Sequence, residues 1–365
     1  MLKAIQFCGS PSQQIVQSNF DLPAPQGNEV LIRVTHSGIC GSELHMLSRP
    51  LVLGHEGEWI DPISKACFCE STDYEETGIG IVEAVGPGCI RVQVGDRVGW
   101  GPINATCGTC EFCCNGRDNY CEDIKLYGFD SYRLSGSLCS HALRKEQWLF
   151  RIPSALSSID AAPLMCGGGT VWAALMEHCR PFHRVGIVGI GGLGHLAIQF
   201  AAKIGCHVSV FSTTPEKEEE ARCLGAHQFF CSSTGAERVS LCGDGSIDRL
   251  LITSSSKADL GLFYSTLHRN AVVVLLSVGD GDLSAPYMPT LLSGMSIAGS
   301  CMCSRYMQTK MLDFAARHAI ACTVEHYPMT LKGIQDAIER LRNGQIRYRA
   351  ILSWDSASSV GVHEK

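Results

Sequence analysis

Short hydrophobic segments separated by glycine and proline fill roughly the first 150 residues of the chain. Two of them, 29–34 and 80–86, have the length and the content of β-branched residues that strands show. From about Asp160 the pattern changes, and strand-like segments alternate with segments of helical spacing. The first part is therefore predicted to be an all-β unit, and the second an α/β unit with a parallel sheet covered by helices on both faces.

The elements of the second part can be placed individually. Buried strands are predicted at 184–188, 207–211, 247–253, 271–278 and 296–299, with helices at 193–204 and 216–224. Beyond them, 311–343 is predicted to be mostly amphipathic helix, and 346–354 a closing strand.

The composition is typical of a soluble globular protein, with 45% hydrophobic and 18% charged residues in a chain of 365. This length exceeds one compact core, so two domains are expected. The net charge of −6 argues against nucleic acid or an anionic membrane as a partner. The N-terminus lacks a signal-peptide pattern, and the longest apolar runs, such as 271–276, are strand-sized, so a cytoplasmic location is predicted. The twenty cysteines are then expected to be thiols or metal thiolates.

A glycine-rich turn lies between the predicted strand 184–188 and the helix that follows it. Its sequence is Gly189-Ile190-Gly191-Gly192-Leu193-Gly194, a G-x-G-x-x-G pattern in the strand–turn–helix context that dinucleotide sites require. The glycines allow the backbone to approach a pyrophosphate, and the helix N-terminus supplies N–H groups and a positive dipole. We expect a dinucleotide to bind here.

The end of the second strand favours NADP(H) over NAD(H). NAD-binding enzymes usually carry an acidic residue there, about 20 residues beyond the fingerprint, which accepts a hydrogen bond from the ribose hydroxyl. This chain has Ser212 and Thr213, followed by Glu216 at the start of a helix and by Lys217. Hydroxyls and an ammonium group can bind a 2′-phosphate that a carboxylate would repel. Most lysines are solvated, and Lys217 could be one of them, so the absence of the acid is the stronger indication.

Four cysteines at short spacing predict a structural zinc site. Cys107, Cys110 and Cys113 recur every third residue, and Cys121 follows. Four thiolates complete a tetrahedral zinc shell and leave no open position for chemistry. Cys114 interrupts the regular spacing and is expected to lie outside the site.

Several motifs, taken in order, resemble those of the zinc-containing medium-chain dehydrogenases, especially their cinnamyl alcohol dehydrogenase-like branch. They are Gly54-His55-Glu56, the four-cysteine lobe, Gly95-Asp96-Arg97-Val98, the segment 185–195, Ser212-Thr213-Thr214-Pro215 and Arg347-Tyr348-Arg349. The resemblance covers nearly the whole chain. It implies an α/β protein with a GroES-like catalytic domain at 1–156, a Rossmann domain at 157–302 and a C-terminal segment at 303–365 that returns to the catalytic domain. It also implies a homodimer.

The resemblance further implies a second, catalytic zinc, with Cys40, His55 and Cys166 as its ligands. Glu56 would lie beside this metal, either behind its ligands or as an exchanging ligand, and Ser42 would pass the alcohol proton onward to His45. Without the resemblance, Ser42 could be a turn residue and His45 a surface histidine. Zinc in such a site polarises the substrate oxygen while the nicotinamide exchanges hydride with the substrate carbon. The expected activity is interconversion of an alcohol and an aldehyde with NADP(H), in the direction of aldehyde reduction. The spacing of these dispersed residues alone would not predict this site.

The chain departs from the family pattern beside this proposed metal. It is shorter than usual between His45 and Gly54, and longer after Glu56, where 57–77 intervenes with Cys67, Cys69 and a run of acidic residues. This insertion could be a substrate lid or a translated remnant of a short intron, and the sequence favours neither. Two further functions stay open: a reductase of an iminium or conjugated double bond on the same scaffold, and a catalytically impaired cofactor-binding homologue.

Overall fold

The structure is a computed structural model that describes residues 1–39, 53, 77–126, 136–231, 246–254, 259–277, 283–354 and 362–363. The chain divides into two compact units. The first unit comprises Met1–Cys166 and Ser304–Lys365, and the second comprises Gly167–Cys303. The first boundary therefore follows Cys166, whereas the sequence places it after Leu156. Helix Ser158–Pro163 belongs to the first unit because it packs against the strands of that unit's sheet.

The first unit is built mainly of β-strands. They are β1 (Leu2–Cys8), β2 (Val16–Leu22), β3 (Glu29–Ile39), β4 (Gly78–Val85), β5 (Arg97–Trp100), β6 (Ile103–Ala105), β7 (Lys125–Leu126), β8 (His141–Lys145), β9 (Phe150–Arg151), β16 (Val324–Pro328), β17 (Arg349–Ser353) and β18 (Val362–His363). Within the described residues the main sheet has the order β18-β16-β17-β3-β4-β5-β9, with β8 paired to β3. Alternation builds its core: Val30, Ile32 and Val34 are buried while Arg33 between them is exposed.

The second unit is a parallel sheet with helices. Its strands are β10 (Arg184–Val188), β11 (His207–Ser212), β12 (Gln228–Cys231), β13 (Ile247–Ile252), β14 (Leu267–Leu275) and β15 (Ser296–Gly299). Among the described residues the order is β12-β11-β10-β13-β14-β15, all parallel. This doubly wound order reverses direction between β10 and β13, where such sheets bind their ligands at the carboxyl ends of the strands.

Eight α-helices are found in the described part of the chain. They are α1 (Glu111–Cys114), α2 (Ser158–Pro163), α3 (Gly169–His178), α4 (Gly194–Ile204), α5 (Glu218–Cys223), α6 (Tyr287–Ser293), α7 (Arg305–His318) and α8 (Leu331–Arg342). One π-helical turn, Leu164–Gly168, joins α2 to α3.

The prediction of mostly helix over 311–343 is wrong in its middle. Helix α7 ends at His318, with Ala319 in a left-handed conformation, and α8 begins only after Thr330, whose hydroxyl accepts a hydrogen bond from the Gly333 N–H. Between them β16 pairs in parallel with β17, and four of its five residues are buried. The strand forms because a distant partner supplies its hydrogen bonds, and a helical reading of the local pattern cannot include that partner.

The continuous helical stretch Ser158–His178 has the length and hydropathy to cross a membrane, the one such stretch in the described residues. However, 78% of its most apolar window is buried inside the protein. A buried core helix of a globular fold passes the same test of length and composition, and the burial fits that assignment.

Candidate functional site

The four predicted zinc-binding thiols lie together in the first unit. The sulfur atoms of Cys107, Cys110, Cys113 and Cys121 are all within 4.8 Å of one another. Cys107 Sγ lies 3.9 Å from Cys113 Sγ and 3.6 Å from Cys121 Sγ. A zinc tetrahedron with Zn–S distances of about 2.3 Å has sulfur–sulfur edges of about 3.8 Å, so the thiols present fit this ion.

Backbone N–H groups lower the pKa values of these thiols, and burial raises them. Backbone N–H groups of Thr109 and Cys110 lower the pKa of Cys107 to about 6, whereas burial raises the pKa of Cys121 to about 12. Cys107 N–H also donates to Cys121 Sγ over 3.4 Å. The four groups would therefore not all be thiolates at neutral pH by themselves, and a divalent cation would supply the charge that deprotonates them together.

Cys114 lies apart from this cluster. Its side chain is exposed, and its Sγ points to the carbonyl oxygen of Thr109 at 3.4 Å. Helix α1 explains the separation: consecutive helical residues project about 100° apart, so Cys113 and Cys114 cannot face the same centre.

The glycine-rich turn follows β10 and leads into α4 in the second unit. Gly189 has a φ of +94°, which favours glycine, and a Cβ placed on Gly191 would meet nothing within 4 Å. Leu193, at the N-cap position of the 11-residue α4, makes no side-chain cap hydrogen bond. The turn thus presents open backbone at an uncapped helix N-terminus, the arrangement that binds a pyrophosphate.

The carbonyl groups of residues 189–191 in this turn each accept a hydrogen bond from a side chain. The donors are the Thr253 hydroxyl at 3.1 Å, the Lys217 ammonium at 2.8 Å and the His195 ring at 3.0 Å. These bonds fix the carbonyl oxygens onto protein groups, which orients the peptide planes of the turn. Lys217 therefore contacts the pyrophosphate turn itself, a contact that its position in the sequence does not indicate.

His195 and Thr253 are members of the site that sequence reasoning missed. His195 is completely buried, and burial lowers its pKa to about 4, so the ring is neutral at physiological pH. Because its Nδ1 faces a carbonyl oxygen, Nδ1 carries the hydrogen. A histidine that directly follows the last glycine of the fingerprint was the available signal for this role.

The hydroxyls at the end of β11 lie next to this turn, since β11 pairs with β10. Ser212 is buried, and its Oγ accepts a hydrogen bond from the Thr214 N–H over 3.1 Å, while Thr213 is exposed. Glu216 is exposed in the 3₁₀ turn Pro215–Lys217 beyond the strand end. The position that commonly carries an acid in NAD-binding enzymes is thus occupied by hydroxyls.

Cys166 occupies the middle of the π-helical turn Leu164–Gly168. Every residue from Ala161 to Trp172 is buried except Cys166, which is partly exposed. Such turns occur mostly as single bulges inside α-helices, frequently at functional sites. The structure thus exposes one thiol from an otherwise buried helix.

Strand β3, which leads to Cys40 in the sequence, ends on the same side of the sheet as the π turn. Ser37 on β3 pairs with Gly78, which pairs with Trp100 on β5, and neighbouring strands lie about 4.8 Å apart. A Cβ placed on Gly101, the next residue, would lie 2.9 Å from the carbonyl oxygen of Met165. The π turn therefore packs about two strands away from the end of β3, whose last residue, Ile39, directly precedes Cys40 in the sequence.

Leu53, two residues before His55 in the chain, packs in the same hydrophobic cluster as Ile39. Leu53 donates its N–H to the Phe7 carbonyl at 2.8 Å and accepts a hydrogen bond from the Leu138 N–H at 2.9 Å. Leu53 and Ile39 belong to one buried hydrophobic cluster. The residue before Cys40 and the residue two before His55 therefore share a core.

Several predicted site residues lie outside the described residues. They are Cys40, Ser42, His45, His55, Glu56 and the insertion up to residue 76. The structure places only Cys166 of the three predicted catalytic zinc ligands.

Comparison with known proteins assigns the chain to a family. Residues 75–154 match the model of the alcohol dehydrogenase GroES-like domain, and residues 192–317 match that of the zinc-binding dehydrogenases. The chain is 32% identical over 341 residues to cinnamyl alcohol dehydrogenase 7 of Oryza sativa subsp. japonica, which covers 89% of this chain and 85% of that protein. The chain belongs to the zinc-containing medium-chain dehydrogenase/reductase family. Its place is in the cinnamyl alcohol dehydrogenase-like branch.

Other relatives of this medium-chain dehydrogenase agree in fold and chemistry. Aldehyde reductase AdhA of Synechocystis sp. is 33% identical, over 92% of this chain and 94% of that protein. The solved structure of a cinnamyl alcohol dehydrogenase from Sorghum bicolor matches with a TM-score of 0.85 at 27% identity and covers 100% of both chains. The predicted GroES-like and Rossmann domains are thereby confirmed. The medium-chain dehydrogenase is a zinc- and nicotinamide-dependent oxidoreductase of the alcohol dehydrogenase type.

Two glycines in the nucleotide turn of this dehydrogenase should respond differently to replacement by alanine. A Cβ on Gly194 would lie 2.0 Å from the Gly189 carbonyl oxygen, so Gly194→Ala should lower the free energy of unfolding by about 1–3 kcal/mol. Gly191→Ala meets no neighbour and should unfold like the wild type, but bind the nicotinamide cofactor more weakly because its methyl covers the open backbone. Urea unfolding and fluorescence titrations with NADPH and with NADH measure the two effects. Equal stability losses in both variants would contradict this assignment.

Proposed function

We propose that this dehydrogenase reduces aldehydes to alcohols with NADPH. The observation that carries the proposal is the position of Cys166, the single partly exposed residue of a buried helical stretch. The preceding residue, Met165, packs with its carbonyl against Gly101, about two strands from the end of β3, the strand that leads to Cys40. A catalytic zinc requires three protein ligands and one open position, and two cysteines with one histidine are a recognised set.

The proposed roles of the residues follow from this set. Cys40, His55 and Cys166 would hold the metal, and Glu56 would lie beside it as the sequence motif suggests. When bound, zinc supplies a Lewis acid for the substrate oxygen and NADP(H) supplies or accepts the hydride. Ser42 would carry the proton between the substrate oxygen and His45. During reduction the proton moves toward the substrate, and during oxidation away from it.

A second zinc is proposed for the four-cysteine lobe. The sulfur–sulfur separations and the backbone N–H groups directed at the thiols support a closed tetrahedral shell. With four protein ligands this metal would have a structural role, and the proposal is two zinc ions per chain.

The proposed preference for NADPH rests on the charge at the end of β11. Ser212 and Thr213 provide hydroxyls there, and Lys217 brings a positive charge to the adjacent turn. A 2′-phosphate is accommodated by such groups and repelled by a carboxylate. Glu216 does not oppose this, because it is exposed at the first turn of the following helical segment, where its charge suits the helix dipole.

The experiment that tests both parts compares NADPH and NADH oxidation with a panel of aldehydes in the wild type and in Ser212→Asp. The aspartate can keep the turn, since its carboxylate can accept the Thr214 N–H as Ser212 Oγ does. We expect kcat/KM for NADPH to fall about 100-fold or more, because the carboxylate repels the 2′-phosphate, while activity with NADH is kept or rises.

The matched control is Ser212→Asn, which has the shape of aspartate without its charge. A loss of NADPH activity as large in Ser212→Asn as in Ser212→Asp would refute the charge argument. Absence of turnover of every aldehyde by the zinc-loaded wild type would refute aldehyde reduction itself.

The proposal includes a homodimer formed through the second unit. Among the described residues β15 is the last strand of its sheet, so its outer backbone groups can pair with another strand. Helix α6 packs against the neighbouring strand β14 and exposes an apolar stripe at helical spacing, with Tyr287 79%, Leu291 61% and Leu292 69% exposed. An edge strand and an apolar stripe can meet their own copies across a twofold axis. The proposed compartment is the cytoplasm, where thiols stay reduced, and the described cysteines form no disulfide.

A further inference from the structure

Helix α7 contacts the π turn that carries Cys166. Gln308, one turn into this helix, is 3% exposed. Its amide nitrogen Nε2 donates a hydrogen bond to the Leu164 carbonyl oxygen over 3.2 Å and lies 3.8 Å from Met165 Sδ. Leu164 and Met165 are the two residues immediately before Cys166, so Gln308 holds the backbone that sets the direction of the Cys166 side chain.

The same helix is fastened at its first residue to the four-cysteine lobe. Arg305 donates its backbone N–H to Asp118 Oδ1 at 3.1 Å and its Nε–H to Asp118 Oδ2 at 2.5 Å. The Asp118 side chain is only 4% exposed, so this charged pair is largely shielded from solvent. The Arg305 guanidinium also lies 5.0 Å from the ring centre of Trp148, which is buried.

Asp118 is itself tied to one of the thiol-bearing residues. Its carbonyl oxygen accepts a hydrogen bond from the Cys121 N–H at 3.2 Å. The lobe and α7 are therefore joined through consecutive contacts, from Cys121 to Asp118 and from Asp118 to Arg305.

Hydrogen bonds of Ser304 fix the first turn of α7, which links Arg305 to Gln308. Ser304 caps it, with its hydroxyl accepting the Met307 N–H over 3.3 Å and its carbonyl accepting the Gln308 N–H over 2.8 Å. Arg305 and Gln308 are three residues apart and so lie on one face of the helix, about 5–6 Å from each other. One helical turn thus spans the distance between the lobe and the π turn.

We propose that Gln308 is a positioning residue for the catalytic metal site, acting on Cys166 through the π turn, and that the Asp118–Arg305 pair keeps it in register with the four-cysteine lobe. This inference rests on the proposed function, because it requires Cys166 to be a zinc ligand. The physical reason is geometric: zinc tolerates a narrow range of ligand positions, and groups that orient its ligands affect its affinity. The lobe would then serve catalysis by fixing a helix, in addition to stabilising its own loop.

The test measures zinc release from the zinc-loaded full-length protein in the presence of a chelator. Gln308→Met keeps the length of the side chain and its helix propensity but removes the amide donor. We expect one of the two zinc ions to leave about tenfold faster or more in Gln308→Met, the range seen when groups that orient metal ligands are changed. Release of the other zinc, held by the lobe, should be unchanged.

Substitution of the labile zinc by Co²⁺ provides a second readout that a purely structural role would not change. In Gln308→Met the visible absorption bands of the cobalt site should shift, because they depend on ligand geometry. In the enzyme assay kcat should fall while KM for NADPH is kept. Thr309→Ala is the matched control, since Thr309 is exposed on the same helix and should leave metal release and spectrum unaltered.

Three comparisons separate the possible failures. Cys166→Ala should hold one zinc; if it holds two, the proposed function fails at this ligand. If Cys166→Ala holds one zinc but Gln308→Met releases both ions at the wild-type rates, the present inference alone is overturned. Asp118→Asn removes the negative charge from the Asp118–Arg305 pair. Its rate of zinc release should lie between those of the wild type and Gln308→Met, and a wild-type rate would overturn the role of the lobe.

Discussion

Replacement of Cys166 by alanine is expected to reduce turnover of aldehydes by about 10³-fold or more while the protein stays folded. The loss is large because a Lewis acid stabilises the transition state by several kcal/mol, and 1.36 kcal/mol corresponds to a factor of ten. The fold should survive because Cys166 is partly exposed and its removal leaves no large cavity in the core. Steady-state kinetics, metal analysis and thermal unfolding measure these three consequences.

The matched control for this variant is Cys223→Ala. Cys223 is an exposed cysteine in α5 of the second unit and belongs to neither proposed set of zinc ligands, so its replacement should change neither turnover nor zinc content. The assignment of Cys166 would be wrong if Cys166→Ala kept two zinc ions and wild-type turnover. A melting temperature lowered by more than about 10 °C would mean that the lost activity reflects unfolding.

Replacement of Cys121 by alanine should have the largest effect on stability. Cys121 is 3% exposed, and its removal breaks the four-thiol shell and leaves a small cavity. Structural zinc contributes on the order of 10 kcal/mol to the folding of isolated zinc-finger peptides. In this larger unit, which has its own core, we expect a loss of about 3 kcal/mol or more. Urea unfolding and the zinc content, falling from two to one per chain, test the prediction.

Cys114→Ala is the control in the same lobe. Its thiol is exposed and contacts only the Thr109 carbonyl among the contacts described, so stability should stay within about 0.5 kcal/mol of the wild type. If Cys114→Ala and Cys121→Ala lose equal stability, the closed four-sulfur shell is not the source of the effect. Limited proteolysis should show cleavage near the lobe in Cys121→Ala before the rest of the chain.

The two sites that depend on short spacing could be predicted from the sequence. Cys107, Cys110 and Cys113 recur at intervals that one loop and one helical turn bring together, so their proximity is a local property. The turn 189–194 follows a buried strand and opens a helix, and both flanks are visible in the hydrophobic pattern. Local structure determines the geometry of each of these sites.

The contacts that hold the nucleotide turn could not be predicted. Lys217 is 27 residues from Ile190 in the chain. The sequence suggests two roles for it, a ligand of the 2′-phosphate or a solvated helix residue. The structure places its ammonium on the carbonyl oxygen of the turn, because β11 runs beside β10 and brings the following helical segment back to it. Thr253 reaches the same turn from the end of β13, across the reversal of the strand order.

Strand β16 shows where the local sequence pattern predicts the wrong secondary structure. Its sequence, Val-Glu-His-Tyr-Pro, lies between two amphipathic helices, and the pattern around it predicts helix. Glu325 is nevertheless buried in the strand, where it accepts hydrogen bonds from Arg340 and from the Arg347 N–H, which with other contacts lower its pKa against the effect of burial. A buried carboxylate of this kind is stabilised by partners 15 and 22 residues away in the chain. These distant partners, and not the local pattern, favour a strand over a helix at this position.

By itself, the sequence determined the order of domains, the four-thiol lobe and the glycine-rich turn, since each depends on residues that are neighbours in the chain. Only the tertiary structure decided that the thiol of Cys166 emerges from a buried π turn and that Gln308 supports this turn. It alone joined Asp118 to Arg305, residues 187 positions apart. Residues so far apart in the chain come into contact when strands and helices pack into one core. The packed surfaces select which residues meet, and no short sequence pattern encodes those surfaces.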